Sequence, residues 1–367
     1  MGRKPAGAAV TISFPPSLPT PPAPAGTGQV AQAPQSASQG LPQIATPIAP
    51  PDPVAALQSA IALTRQTSIA KQDGMAPLLA NALAAARAGL LPPPVQAAVQ
   101  QLVSLALPTN KAPSADDIKT ALAQSGLFTE SGLAKQGEAP RDQKSALGKL
   151  AEAARQWAAQ SGESEIPSGG ASVPPPGRHP VAQGPASPSL PAGSSPVDAA
   201  KLLITGSEAA LARQNLLQLA SLPEDADPQS RGTRTPDPRY VVDLPLMTPQ
   251  GPAVAQLIIQ RDSSGRSAEH PEPVWRVGLA LTIEPLGPVR ANLALSGDHA
   301  WITIAADRPD ALTELKQGAG WLNDALSGSH LEADIAFVSA APAKSSAYGT
   351  SGGSAGGTLG AYGKSTV

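Results

Sequence analysis

The 367 residues include 42 Pro and 34 Gly and are only 3% aromatic, too many chain breakers and too few large apolar side chains for one compact domain. A formal net charge of −2 gives no electrostatic footprint for a nucleic acid or an anionic membrane surface. The lack of cysteine excludes disulfides, thiolate metal sites and thiol catalysis. Residues 1–24 interrupt with prolines the apolar run that a cleaved signal peptide would need. No window approaches the roughly eighteen uninterrupted apolar residues of a membrane span, so no membrane insertion is expected.

Residues 1–53, made of Pro, Ala, Gln, Ser and Thr, are expected to be a disordered leader. Residues 54–160 read as an Ala/Leu-rich helical region cut by Gly89 and Pro92-Pro93-Pro94. Leu78, Leu79, Leu83 and Leu90 form one thin apolar stripe, and Val95, Val99, Leu102 and Val103 another. Alanine favours helix but buries little, so these helices are expected to be marginal alone. Ser114 and Asp117 have capping-box spacing and predict a helix over 115–125. A second helix, opening near Arg141, lines up Leu147, Leu150, Ala154 and Trp157. Residues 161–196 read as a Pro/Gly/Ser linker that buries nothing. A helix is expected over 197–222, with Leu202-Leu203, Ala209-Ala210 and Leu216-Leu217 recurring every seven, docking loosely on the next domain. A further linker spans 223–239.

From Tyr240 to Val338 the pattern changes. Trp275, Val277, Leu279, Leu281 and Ile283 alternate with smaller or polar residues, the period of a half-buried strand. Val289, Ala291, Leu293 and Leu295 repeat it after the Pro285-Leu286-Gly287-Pro288 corner. Strands are expected near 240–247, 253–261, 274–284, 289–296 and 300–306, then a helix over 308–327 and a last strand over 331–338. Gly297-Asp298 suits a hairpin turn. Asp307 is the expected helix cap, with Pro309 in the first turn, and Leu312, Leu315, Ala319, Leu322 and Leu326 facing the sheet. The fold class is therefore α+β: a small C-terminal domain of mainly antiparallel strands packed with one or two helices, behind a long, largely disordered Pro/Ala-rich region with marginal helices. Residues 236–340 are expected to fold autonomously, and 339–367 to form a disordered Gly/Ser tail.

The residues offer little chemistry. His270, His299 and His330 have no companion ligand at helical spacing, and His299 and His330, at turns, read as solvated, so no metal is expected. There is no Gly-x-Ser-x-Gly elbow for a Ser-His-Asp hydrolase. Gly357 and Gly363 before Lys364-Ser365 are separated by one residue too many for a phosphate loop. Asp307 and Asp310 suit helix initiation, and Glu332 and Asp334 the solvent face of a strand. No enzyme activity and no cofactor are expected. The Pro285-Leu286-Gly287-Pro288 corner reads either as a rigid turn whose glycine permits an unusual backbone angle or as a partner contact.

The Leu286-Gly287-Pro288-Val289 corner resembles the Leu-Gly-x-Val motif of the C-terminal domain of flagellar hook-length control proteins, and the resemblance runs on through the following strand and helix. Ser125-Gly126-Leu127-Phe128-Thr129-Glu130, with Asp142 and Lys144 beyond it, is similar to a stretch in the middle of longer members. The run from Ala212 to Pro223 is similar to the segment just ahead of their folded part. The resemblance implies a secreted molecular ruler: cytoplasmic at first, then exported through the flagellar type III apparatus, its C-terminal domain switching export from hook to filament substrates. It implies as partners the cytoplasmic domain of the export-gate switch protein and the hook and hook-cap proteins. The switch surface would include Pro285, Leu286, Gly287 and Val289. Alternatives sharing the plan are a needle-length ruler of a type III injectisome and a Pro-rich scaffold or envelope-spanning interaction protein; the last requires a membrane anchor that residues 1–24 do not supply.

Overall fold

The computed structural model describes residues 53–136, 141–160, 173–222, 237–262 and 273–339. The expected leader up to residue 52, the tail from 340, His270 and most of the 223–239 linker lie outside the described residues.

Among the described residues seven helices lie ahead of residue 239: α1 (Pro53–Lys71), α2 (Met75–Arg87), α3 (Pro93–Val103), α4 (Ala115–Ala123), α5 (Thr129–Gln136), α6 (Gln143–Gln160) and α7 (Pro196–Ala220). The thin stripes read from sequence converge on one core. Leu79, Val95, Leu102, Leu147, Leu150 and Ile204 are all fully buried together, and each such aliphatic side chain contributes roughly 1.5–3 kcal/mol. Helices α2, α3, α6 and α7 are therefore not marginal in context: each supplies an apolar face to a shared interior. The expected capping box at α4 is present, Asp117 N–H donating to Ser114 Oγ at 3.2 Å and Ser114 N–H to Asp117 Oδ2 at 2.8 Å.

Helix α7 corrects an expectation. It does not dock loosely but packs against α1, α2, α6 and the sheet. Ser195 and Asp198 form a capping box at its start and Pro196 occupies the first turn. Leu203, Ala209, Ala210, Leu216 and Leu217 are buried along its length and Leu202 half-buried, as expected of a helix apolar on more than one side. Gly206 allows the close approach to α2, since a Cβ there would stand 3.0 Å from Leu78 Cδ1.

The strands are β1 (Leu107–Pro108), β2 (Arg239–Thr248), β3 (Gly251–Asp262), β4 (Val274–Ile283), β5 (Gly287–Ser296), β6 (His299–Ala306) and β7 (Glu332–Ser339). They form a seven-stranded sheet in sequence order, antiparallel from β2 to β6 and parallel at both ends. The sheet is mixed and the fold α+β. Six strands fall where their alternation puts them; β1, a two-residue addition beside β2, has no such signal. Gly297, at φ 59, turns the two-residue loop between Ser296 and His299.

Alternation gives β2 and β3 two buried faces. Val242, Leu244, Leu246, Ala253 and Ala255 pack with Leu107 and Ala121. On the other face Val241 and Ile258 pack on Leu217 of α7, and Val254 joins the helical core. Between helices and sheet lies a buried polar network. Arg213 Nε donates to Asp243 Oδ2 at 2.9 Å and Gln256 Nε2 to Asp243 Oδ1 at 2.6 Å, while Arg213 Nη1 reaches Gln72 Oε1 at 2.9 Å.

The 161–196 block is described from Val173 onward, and there the expectation that it buries nothing fails. Pairing of β3 with β4 begins only at Gln256 and Ala280, which leaves the β4-facing edge of Gly251–Ala255 open. The block fills it as a strap. Gln183 and Val254 exchange backbone hydrogen bonds at 3.0 Å, Ala186 N–H donates to Pro252 O at 2.8 Å, and Pro180 and Gln183 are buried. Unpaired backbone groups beside a buried strand are costly, and the strap satisfies them.

Between β6 and β7 the expected single helix is two, α8 (Pro309–Gln317) and α9 (Ala319–Gly328), separated at Gly318. Gly318 ends α8, with its N–H on Leu315 O at 3.2 Å, and serves as the N-terminal flank of α9. Leu312, Leu315, Ala319, Leu322 and Leu326 are all half-buried, as their spacing predicts, while Trp321 is 73% exposed. Asp307 does not cap α8. Arg308 holds that position with no side-chain cap bond, and Pro309 stands in the first turn.

Candidate functional site

The corner between β4 and β5 is three residues long: Ile283 pairs with Gly287 and Glu284-Pro285-Leu286 bridge them, the Glu284–Pro285 peptide being cis. Gly287 has φ +83, a left-handed backbone conformation that residues other than glycine adopt only with strain. Space is not the constraint, since the nearest atom to a Cβ built there is Arg308 Cδ at 3.7 Å.

The four residues singled out by the family motif divide into two pairs. Pro285 is exposed and Leu286 half-buried, whereas Gly287 and Val289 are buried. Val289 sits in the ladder between Leu281 and Ala306. It shapes the corner from beneath. The accessible apolar surface is instead Pro285 and Leu286, continued by Ile283, which is 38% exposed.

Sequence reasoning missed Arg308. Its Nη1 donates to Pro285 O at 2.8 Å, and its guanidinium also grips Asp310, Nε to Oδ1 at 3.2 Å. The hydrogen bonds that Arg308 donates to Asp310 raise the Arg308 pKa and hold the Asp310 carboxyl below its ordinary value. The start of α8 thereby anchors the corner across the sheet end. Arg308-Pro309-Asp310 was visible as a helix start, but only the β5–β6 pairing brings it beside Pro285. The strap reaches the same end, where a Cβ built on Gly184 would stand 3.8 Å from Thr282 Cγ2.

Elsewhere the chemistry is sparse. His299 is not simply solvated: its Nε2 lies 3.1 Å from Asp334 Oδ2 and its ring 4.4 Å from that of Trp301. His330 is exposed at φ 60. No group of three or more His, Cys, Asp or Glu among the described residues is arranged to hold a metal ion. A groove of about 480 Å³ opens on the opposite face, between the strap at Arg178–Pro180 and the polar side of β4–β6, lined among others by Arg276, Asn292 and Trp301 and by no carboxylate. No helix among the described residues is long and apolar enough to cross a membrane.

The C-terminal part is thus an α+β domain with a braced, partly apolar corner at one end of its sheet. Residues 264–346 match the family model described as flagellar hook-length control protein FliK. That family is regulatory, not enzymatic. The match takes in β4 to β7, α8, α9 and the whole corner, and leaves β2, β3, the strap and the helical layer outside. No curated protein and no solved structure matches the chain.

Proposed function

We propose that this chain is a hook-length control protein: exported through the flagellar type III apparatus, it reports hook length through its N-terminal part and switches export from hook to filament substrates through its C-terminal domain. The observation that carries this reading is the match over 264–346, which encloses the Leu286-Gly287-Pro288-Val289 corner. The corner is the proposed contact with the cytoplasmic domain of the export-gate switch protein, Pro285 and Leu286 touching it and Gly287 and Val289 holding their shape. Hook and hook-cap proteins are the proposed partners of the N-terminal part during transit. Export would precede any such contact outside the cell, and no catalysis is invoked at any step.

The test is removal of the gene from the source bacterium. Over-long hooks with few filaments, restored to normal by the full chain and not by a chain lacking 264–346, are expected in electron micrographs. Normal hooks and filaments in the deletion strain would overturn the reading.

A further inference from the structure

At one margin of the sheet β2 is covered by β1, two residues long and ending in proline. At the other, β7 pairs with β6 alone among the described residues. Glu332 N–H donates back to Asp298 O at 2.9 Å, which fixes the phase of the ladder. Because N–H and C=O directions alternate along a strand, Ala333, Ile335 and Phe337 direct theirs away from β6. Exposed edges are ordinarily blunted by lysine, proline or a bulge, and the Glu332–Ser339 sequence has none of these.

The edge also has a sign. Glu332 and Asp334 are 84% and 73% exposed on one face, while Ala333, Ile335 and Phe337 are half-buried on the face toward α8 and α9. No Lys or Arg occurs from Gln317 to Ala343. His299 lies against Asp334, the one basic partner there among the described residues.

We propose that β7 accepts an extended basic peptide segment of a protein partner as an added strand. The backbone of Ala333, Ile335 and Phe337 supplies the hydrogen bonds, and Glu332 and Asp334 select Lys or Arg at alternate positions. This site is separate from the β4–β5 corner and does not rest on the hook-length reading.

The test uses the full chain and a fluorescein-labelled peptide alternating Lys with Val and Thr over eight residues, followed by fluorescence anisotropy. Saturable binding is expected, with none for the same peptide carrying Glu in place of Lys. Glu332→Lys with Asp334→Lys is expected to weaken binding about tenfold or more. Ala333→Pro removes an N–H that β6 does not use, so the fold is retained and binding falls similarly. A peptide N-methylated at alternate residues tests the same bonds with the protein unaltered. Undiminished binding of the N-methylated peptide, or by Ala333→Pro, would mean charge attraction alone and overturn the proposal. So would absence of binding, a dimer that Ala333→Pro converts to monomer, or binding that appears only after deletion of 340–367.

Discussion

Gly287 and Leu286 are neighbours with different duties, and substitution separates them. Alanine at 287 must hold φ near +83, which costs about 1–2 kcal/mol, so Gly287→Ala is expected to lower the urea midpoint. Leu286→Ala, at a half-buried position, is expected to leave the fold intact and, on the proposed function, to give over-long hooks. A folded Leu286→Ala protein with normal hooks and filaments would remove the partner role from the corner. The brace has its own signature in pH. The carboxyl of Asp310 is held below its ordinary 3.8 by Arg308. A carboxylate depressed in the folded state stabilises it above the unfolded pKa and loses that effect as pH falls through the folded one. The Arg308 contact with Pro285 O should therefore be unchanged from neutrality down to about pH 4 and loosen only in stronger acid. The Arg308 Nε–H resonance followed against pH would report it, and Asp310→Asn should abolish the transition. A midpoint above 4 would contradict the assignment.

At the scale of elements, the buried Arg213–Asp243 pair joins α7 to β2, at 2.9 Å with both side chains almost wholly buried. Arg213→Met leaves a buried carboxylate without its charge partner and is expected to cost roughly 3–5 kcal/mol in denaturant unfolding, while Arg213→Met with Asp243→Leu recovers much of it. Equal losses for the single and double variants would mean the pair does not act as a unit. Legibility in the sequence depended on range. Strands β2 to β7 and the capping box at Ser114 are local patterns of period two or fixed spacing, and the corner announces itself by a break in alternation. The two-helix crossover was nearly legible, since Gly318 is an obvious weak point in a helix. The strap was not: Gln183 is one polar residue in a Pro/Gly/Ser block, and its pairing with Val254 exists only because β4 parts from β3 beyond Gln256. Arg308 was missed for the same reason, its partner being 23 residues away.

For the molecule as a whole, the ruler reading demands that residues now folded be threaded out. The helical layer and strap share Val254, Asp243 and Gln256 with the sheet, so the β2–β3 half is not independent of what precedes it, and a length experiment must avoid that layer. Deleting 161–196 would strip Gln183 and Val181 from the sheet and confuse stability with length. Residues 10–45, in the Pro/Ala-rich stretch whose sequence predicts no packed core, are the better place to intervene. An extended chain spans at most about 3.3–3.6 Å per residue, so duplicating 10–45 is expected to lengthen the hook by up to about 120 Å, and deleting it to shorten the hook similarly. Electron microscopy of purified hook–basal bodies measures this directly, with filament number reporting whether switching survives. Hook lengths unchanged in both variants, with export and switching intact, would make the leader a passive passenger. Control would then lie in when the braced corner meets the export gate, not in how far the chain reaches.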